Sequence, residues 1–177
     1  MSRRRTGICD GRSCRVIVRS ATTEDLPSIL GIYNEAVLNT TATAETNIEP
    51  LAVREGWFEH RRKLGLPVFV AEEDGRVVGW SSLSPYSSRT GYRFTAEDSI
   101  YVASDCRGRG IGKALLAALV SAARECGLHS LVAKIDGENA ASIYLHEQVG
   151  FVRAGFLKEA IFKFDRWLNV VYMQLML

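Results

Sequence analysis

The chain has 177 residues, 47% of them hydrophobic, which is enough for one domain with a proper core and too short for a second. Lys and Arg exceed Asp and Glu by only 22 to 20, so no large basic face for nucleic acid is implied. No apolar run approaches the ~20 residues that span a bilayer, and the arginine-rich start is not followed by the apolar block of a secretory signal. A soluble, cytoplasmic protein is expected.

Charge is unevenly placed. Residues 1–15 hold Arg3, Arg4, Arg5, Arg12 and Arg15 against Asp10, a local +4 that leaves the remainder at −2. Residues 1–14 read as a solvated basic tail and 15–177 as the domain. Cys9, Cys14, Cys106 and Cys126 have neither CxxC spacing nor a nearby histidine, so they read as free thiols and no metal site is expected.

Arg15 to Arg19 alternates as a first strand. Thr22 or Thr23, followed by Glu24, Asp25 and Pro27, starts a helix whose inward face is Leu26, Ile29, Leu30, Tyr33, Val37 and Leu38. A polar loop, Asn39 to Asn47, precedes a second helix over Leu51 to Leu64, with Trp57, Phe58 and Arg61 at helical spacing. Pro67–Glu72 and Val77–Leu83 form a hairpin around Asp74-Gly75. Ser84 to Gly91 is a loop, Tyr92 to Val102 a long strand, Ile111 to Cys126 a helix stopped by Gly127, and Leu131 to Ile135 a short buried strand. Ala140 to Val149 is a helix closed by Gly150, Phe151 to Phe156 a strand leaving it, and Val170 to Leu177 the last strand. This order predicts an α/β (α+β) layer fold, a mixed, mostly antiparallel sheet of about seven strands with about four helices.

The stretch Ser99 to Leu116 (SIYVASDCRGRGIGKALL) runs from a strand through a glycine- and arginine-rich turn into a helix, which is how a chain builds a phosphate site. A P-loop reading fails twice, because Arg107 stands five before Gly112 and Ala114 follows Lys113. A dinucleotide turn requires GxGxxG on the first strand-helix connection, whereas these glycines run GxGxG about a hundred residues in. The pattern Arg-x-x-Gly-x-Gly at 107–112, with Asn139 and His146-Glu147-x-x-Gly150-Phe151 downstream, resembles the GNAT superfamily of acetyl-CoA-dependent N-acetyltransferases over nearly the whole chain. Thr95 to Val102, Asn139 to Glu147 and Lys163 to Leu168 narrow the likeness to the phosphinothricin and methionine sulfoximine acetyltransferase group.

That resemblance implies acetyl-CoA as cofactor, held by Ile100, Tyr101 and Val102 of the strand, by Arg107, Gly108, Arg109, Gly110, Ile111, Gly112 and Lys113 of the turn, and by Asn139 and Ser142. It implies Glu97 as general base, Arg89, Tyr92 and Arg93 in the stretch that holds the substrate carboxylate, and Lys163 on the substrate side. An α-amine is mostly protonated at pH 7, so attack on a thioester requires a proton acceptor, and partial burial would raise the Glu97 pKa toward that task. A backbone N–H near Val102 is the family-like oxyanion donor. His146 and Tyr144 are candidates to protonate the leaving thiolate; His146 reads equally as a hydrogen-bonded helix histidine beside the cofactor, and Glu97 as a surface residue of an edge strand. Three departures bear on the acceptor's side chain: Thr41 to Pro50 carries no aromatic, Ile161-Phe162 replaces the Val-Gly or Gly-Tyr pair expected before Lys163, and Asn169 stands where an acid is usual.

The leading expectation is acetyl transfer to the α-amine of a small amino-acid-like compound. Acetylation of a protein or peptide N-terminus, and a non-catalytic coenzyme A sensor, are the alternatives. Trp167, Val170, Val171 and Met173 suggest an exposed apolar surface and a homodimer.

Overall fold

The computed structural model describes residues 16–177, and the expectations placed on residues 1–15, the basic tail with Cys9 and Cys14, lie outside the described residues. One sheet organises the rest: β1 (Ile17–Ser20), β2 (Val68–Glu73), β3 (Arg76–Pro85), β4 (Thr95–Val102), β5 (Ser130–Asp136), β6 (Val152–Lys163) and β7 (Arg166–Met176), in the spatial order β1-β2-β3-β4-β5-β7-β6. All neighbours are antiparallel except β4 and β5. A parallel pair needs a crossover, which α3 (Ile111–Glu125) supplies. The predicted order of elements and the mixed sheet are both observed.

Helices cover the two faces unequally. Strand alternation sends Trp80 of β3 toward Tyr33 of α1 (Leu26–Asn39) and Trp57 of α2 (Leu51–Lys63). Its neighbour Gly79 points the other way, where an added Cβ would lie 3.2 and 3.3 Å from Leu115 and Ile111 of α3. The absence of a side chain at Gly79 therefore lets α3 sit close on the sheet. On that second face Leu116, Leu119 and Ala123 of α3, and Ile143 of α4 (Ala140–Glu147), close a core with Leu83, Leu131, Ala133 and Met173.

Local signals explain most elements. A capping box at Thr22 and Asp25 starts a short 3-10 turn before α1. The buried face of α1 is Leu26, Ile29, Ile32, Ala36 and Val37; Leu38, expected inward, is 57% exposed, one step of the helix beyond Val37.

Three other expectations are corrected. Tyr92 to Phe94 is not strand: Thr90–Tyr92 is a 3-10 turn, and β4 begins at Thr95. β6 runs to Lys163 rather than Phe156, because two register shifts, at Arg153/Gly155 and Leu157/Ile161, hide its alternation. Val170, Val171 and Met173 are buried, whereas Trp167 is exposed as expected, and the apolar surface around it is formed by Phe156, Leu157, Phe162 and Phe164 on β6 and the β6–β7 tip.

Candidate active site

β4 is a central strand, paired with β3 along its whole length, from Pro85↔Ala96 to Gly79↔Val102. Its pairing with β5 stops at Glu97↔Val132. Beyond that point the two strands part, while β5 stays paired with β7 to Asp136↔Val170. Ala103 N–H donates to Val78 C=O, so the ladder's alternation turns the N–H and C=O of Val102 away from β3 and into the gap. Arg107 Nε donates to that carbonyl at 3.2 Å, leaving the N–H as the donor facing the cleft.

The turn after β4 is built for an anion. Gly110 caps α3 with φ 82°, and Gly108 has φ 73°, both in the left-handed region. An added Cβ at either would meet nothing within 4 Å, so the backbone fronts open space. The first intrahelical bond is Ala114 N–H to Gly110 C=O, so the N–H groups of Ile111, Gly112 and Lys113 precede the ladder. Arg107 and Lys113 are exposed beside them. Arg109 reaches back to Glu73, and Arg76 holds Asp105 at 2.7 Å, which ties the turn to the β2–β3 hairpin. A cavity of about 420 Å³ opens from Arg107 past Asp136 and Asn139 to Thr41, Phe164 and Arg166. Cradle, cations and cleft fit a pyrophosphate-bearing ligand whose tail enters between β4 and β5.

On the α1/α2 face at the mouth of the gap stand Glu97 and Lys134, Oε2 to Nζ 2.7 Å apart, with side chains 25% and 38% exposed. Burial works against the Lys134 ammonium, but Glu97 outweighs it and raises the lysine above its ordinary range. Lys134 also lies 5.6 Å from the Tyr86 ring centroid, and Tyr86 packs on Tyr92 at 5.3 Å. Tyr92 is thereby linked to Glu97 through two side chains. Arg89 and Arg93 are exposed on the same connection, with Arg93 over the Phe94 ring at 4.4 Å.

The polar loop after α1 folds over this face and is bolted at three places. Thr41 Oγ1 donates to Asp136 Oδ2; Tyr33 and Thr43 hydroxyls meet at 3.4 Å while Lys163 Nζ donates to Thr43 C=O at 3.0 Å; and Asn34 takes both backbone groups of Glu49. Lys163 is buried, which holds its ammonium below the usual lysine range, and its hydrogen bond goes to the loop.

His146 and Tyr144 are placed apart. Tyr144 is 62% exposed on α4. His146 is 3% exposed, with Nδ1 2.7 Å from Ser142 C=O and Nε2 3.1 Å from Asp98 Oδ2. The Ser142 carbonyl can only accept and the Asp98 carboxylate accepts when ionised, so the pair of contacts favours the ring with both nitrogens protonated. Burial opposes the charge, but the Asp98 carboxylate and the Ser142 carbonyl prevail and raise the His146 pKa. Neither nitrogen is left for the cleft. Asn139 accepts from Ser142 N–H at 3.1 Å as the N-cap of α4.

Three participants escaped the sequence reading. Lys134 interrupts an otherwise apolar strand, and that interruption was its signal. Asp98 alternates with Glu97 and reads as another strand acid. Arg54, 3% exposed, lies on the same helical face as Trp57, Phe58 and Arg61, with its guanidinium 4.2, 4.6 and 5.3 Å from the rings of Tyr33, Trp57 and Trp80. Among the described residues no cluster could hold a metal ion, no helix is long and apolar enough to cross a membrane, and Cys106 and Cys126 are free thiols.

Known proteins share this fold. Residues 30–151 match the acetyltransferase (GNAT) family. The L-methionine sulfoximine/L-methionine sulfone acetyltransferase of Pseudomonas aeruginosa is 45% identical over 159 residues, 89% of this chain and 92% of that protein. The structure of a phosphinothricin acetyltransferase from Sinorhizobium meliloti in complex with acetyl-CoA superposes with a TM-score of 0.89 at 41% identity, covering 92% of this chain and 88% of that one. A structure described as ribosomal-protein-alanine N-acetyltransferase from Brucella melitensis gives 0.89 at 47% identity, covering 91% and 99%.

Proposed function

The chain belongs to the GNAT family of acetyltransferases and is an acetyl-CoA-dependent acyltransferase, and we propose that its acceptor is the α-amine of a small amino-acid-like compound of the methionine sulfone, methionine sulfoximine or phosphinothricin type. One observation carries this reading: Glu97 stands at the last paired residue before β4 and β5 part, and the anion-binding turn follows the other end of the same strand. A carboxylate and a glycine turn on one rigid element support a proton acceptor beside a coenzyme site.

Bound acetyl-CoA supplies an acetyl group activated as a thioester. The N–H groups of Ile111, Gly112 and Lys113, with Arg107, hold its pyrophosphate. Val102 N–H, aimed into the gap, is the donor for charge developing on the acetyl oxygen. Glu97 takes the proton of the attacking amine, directly or through water. His146 fixes α4 against β4 through Asp98 rather than offering a proton to the cleft.

Acetylation of a peptide N-terminus is the second reading, favoured by the Brucella protein's description. The loop bolted at Thr41, Thr43 and Glu49 roofs the amine site and supports the smaller acceptor. The reading includes a cytoplasmic enzyme, where acetyl-CoA is made and a free exposed thiol such as Cys126 persists. It also includes a homodimer closed over the apolar outer edge formed by β6 and the β6–β7 tip.

The test is direct. Purified protein, acetyl-CoA and L-methionine sulfone, L-methionine sulfoximine or phosphinothricin should release free thiol in proportion to acetylated product. No turnover on any of the three would overturn the acceptor class.

A further inference from the structure

Lys134 is the cation in contact with the proposed base. It follows Val132, the last residue of β5 paired with β4, by two positions and therefore shares a face with Glu97. Other cations of the site are placed differently: Lys163 is buried and bonded to the loop, and Arg89 and Arg93 lie on the connection before β4, with Arg93 over the Phe94 ring. An ammonium has three donors. One goes to Glu97 Oε2 at 2.7 Å, and among the described residues no second acceptor bonds Lys134 Nζ.

Charge balance then points to an anion. When Glu97 takes a proton from the acceptor's ammonium, the carboxylate becomes neutral and the Lys134 ammonium, 38% exposed at the mouth of the cleft, loses the partner it holds at 2.7 Å. A carboxylate on the acceptor restores the pairing. Covalent geometry sets its position: in an α-amino acid a carboxylate oxygen lies about 3 Å from the amine nitrogen. An amine at Glu97 therefore brings its α-carboxylate within reach of an ammonium 2.7 Å from that same base. We infer that Lys134 holds the α-carboxylate of the acceptor while Glu97 holds the amine, which selects a free amino acid over a peptide N-terminus or a simple amine. A peptide offers a neutral amide carbonyl at that place and leaves the lysine unbalanced.

The inference rests on the acetyl-transfer reading above, and its test separates the two. L-methionine sulfone, its α-carboxamide and 3-(methylsulfonyl)propylamine are compared as acceptors for the wild type, Lys134→Met and Lys134→Arg. The wild type should prefer the free acid by about 10- to 100-fold in kcat/KM, the usual worth of a hydrogen bond to a charged group. Lys134→Met should bring that ratio to within about threefold of unity, whatever it does to the absolute rates, and Lys134→Arg should keep most of it. A wild-type ratio near one, or a ratio that survives in Lys134→Met, overturns the inference. Should the wild type acetylate none of the three, the acceptor reading fails by itself. Calorimetric binding of methionine sulfone and its amide in the presence of coenzyme A then decides on Lys134, because absence of a Lys134-dependent preference for the acid overturns its role there too.

Discussion

Nε2 of His146 lies 3.1 Å from Oδ2 of Asp98, joining α4 to the central strand across 48 residues of sequence, and both side chains are almost fully buried. The folded-state His146 pKa is raised, so the charged ring stabilises the fold below the unfolded value of about 6.5 and that contribution is lost as pH rises through the folded value. The thermal midpoint of the wild type should therefore exceed that of His146→Gln by more at pH 6 than at pH 9. His146→Ala should cost about 3 kcal/mol at pH 6, because it strands Asp98 in the core; a pH-independent gap between wild type and variant would argue for packing alone.

Glu97 is held at the mouth of the gap by Lys134, through Oε2 at 2.7 Å. Glu97→Gln preserves shape and removes the proton acceptor. The rate at pH 7, followed as thiol release from acetyl-CoA with methionine sulfone, should fall by about 10²-fold or more. A variant that kept the wild-type rate would place the base elsewhere.

The coenzyme turn depends on a backbone that L side chains rarely adopt. Gly110→Ala puts a Cβ at φ 82° into the open space in front of the turn. The expected result is a KM for acetyl-CoA raised about tenfold or more, with a loss of fold stability near 1 kcal/mol. Calorimetry with coenzyme A reads the binding arm separately from turnover, and unchanged affinity would move the pyrophosphate away from this turn.

What could be read from the residues alone was whatever is periodic or local. α3 was legible to within one residue because Leu115, Leu116, Leu119 and Val120 repeat at three and four between a glycine turn and Gly127. Glu97 and the 107–112 turn were legible because strand, turn and helix are contiguous. The second half of β6 was not, since two register shifts break the alternation that marks a strand, and Glu159 at φ 53° lies in the second of them. Nor was the engagement of His146, whose partner Asp98 comes from another strand altogether. Lys134 and Arg54 were missed for a common reason: a cation on an apolar element reads as solvated until its partners, Glu97 or the ring cluster, are seen in space.

Arg54 shows how such a cation is accommodated and what its removal does. Its Nη2 is 2.5 Å from Glu49 Oε1, its plane is flanked by Tyr33, Trp57 and Trp80, and its Nε has no hydrogen-bond partner. Glu49 also anchors the end of the roofing loop through Asn34, so the pair couples the core under α2 to the cover over the amine site. Glu49→Gln leaves an uncompensated buried guanidinium and should cost about 3 kcal/mol in urea denaturation. Arg54→Met removes the charge that needed a partner but also cation–π contacts worth about 2 kcal/mol when desolvated; Glu49, with its side chain 22% exposed, keeps access to water. The double variant should therefore be little worse than Arg54→Met, giving a coupling of about 2 kcal/mol in the cycle, whereas additive losses would mean that the two charges do not support each other. Because the loop end is loosened in either single variant, KM for the acceptor should rise several-fold while KM for acetyl-CoA, bound at the far end of β4, stays within about twofold.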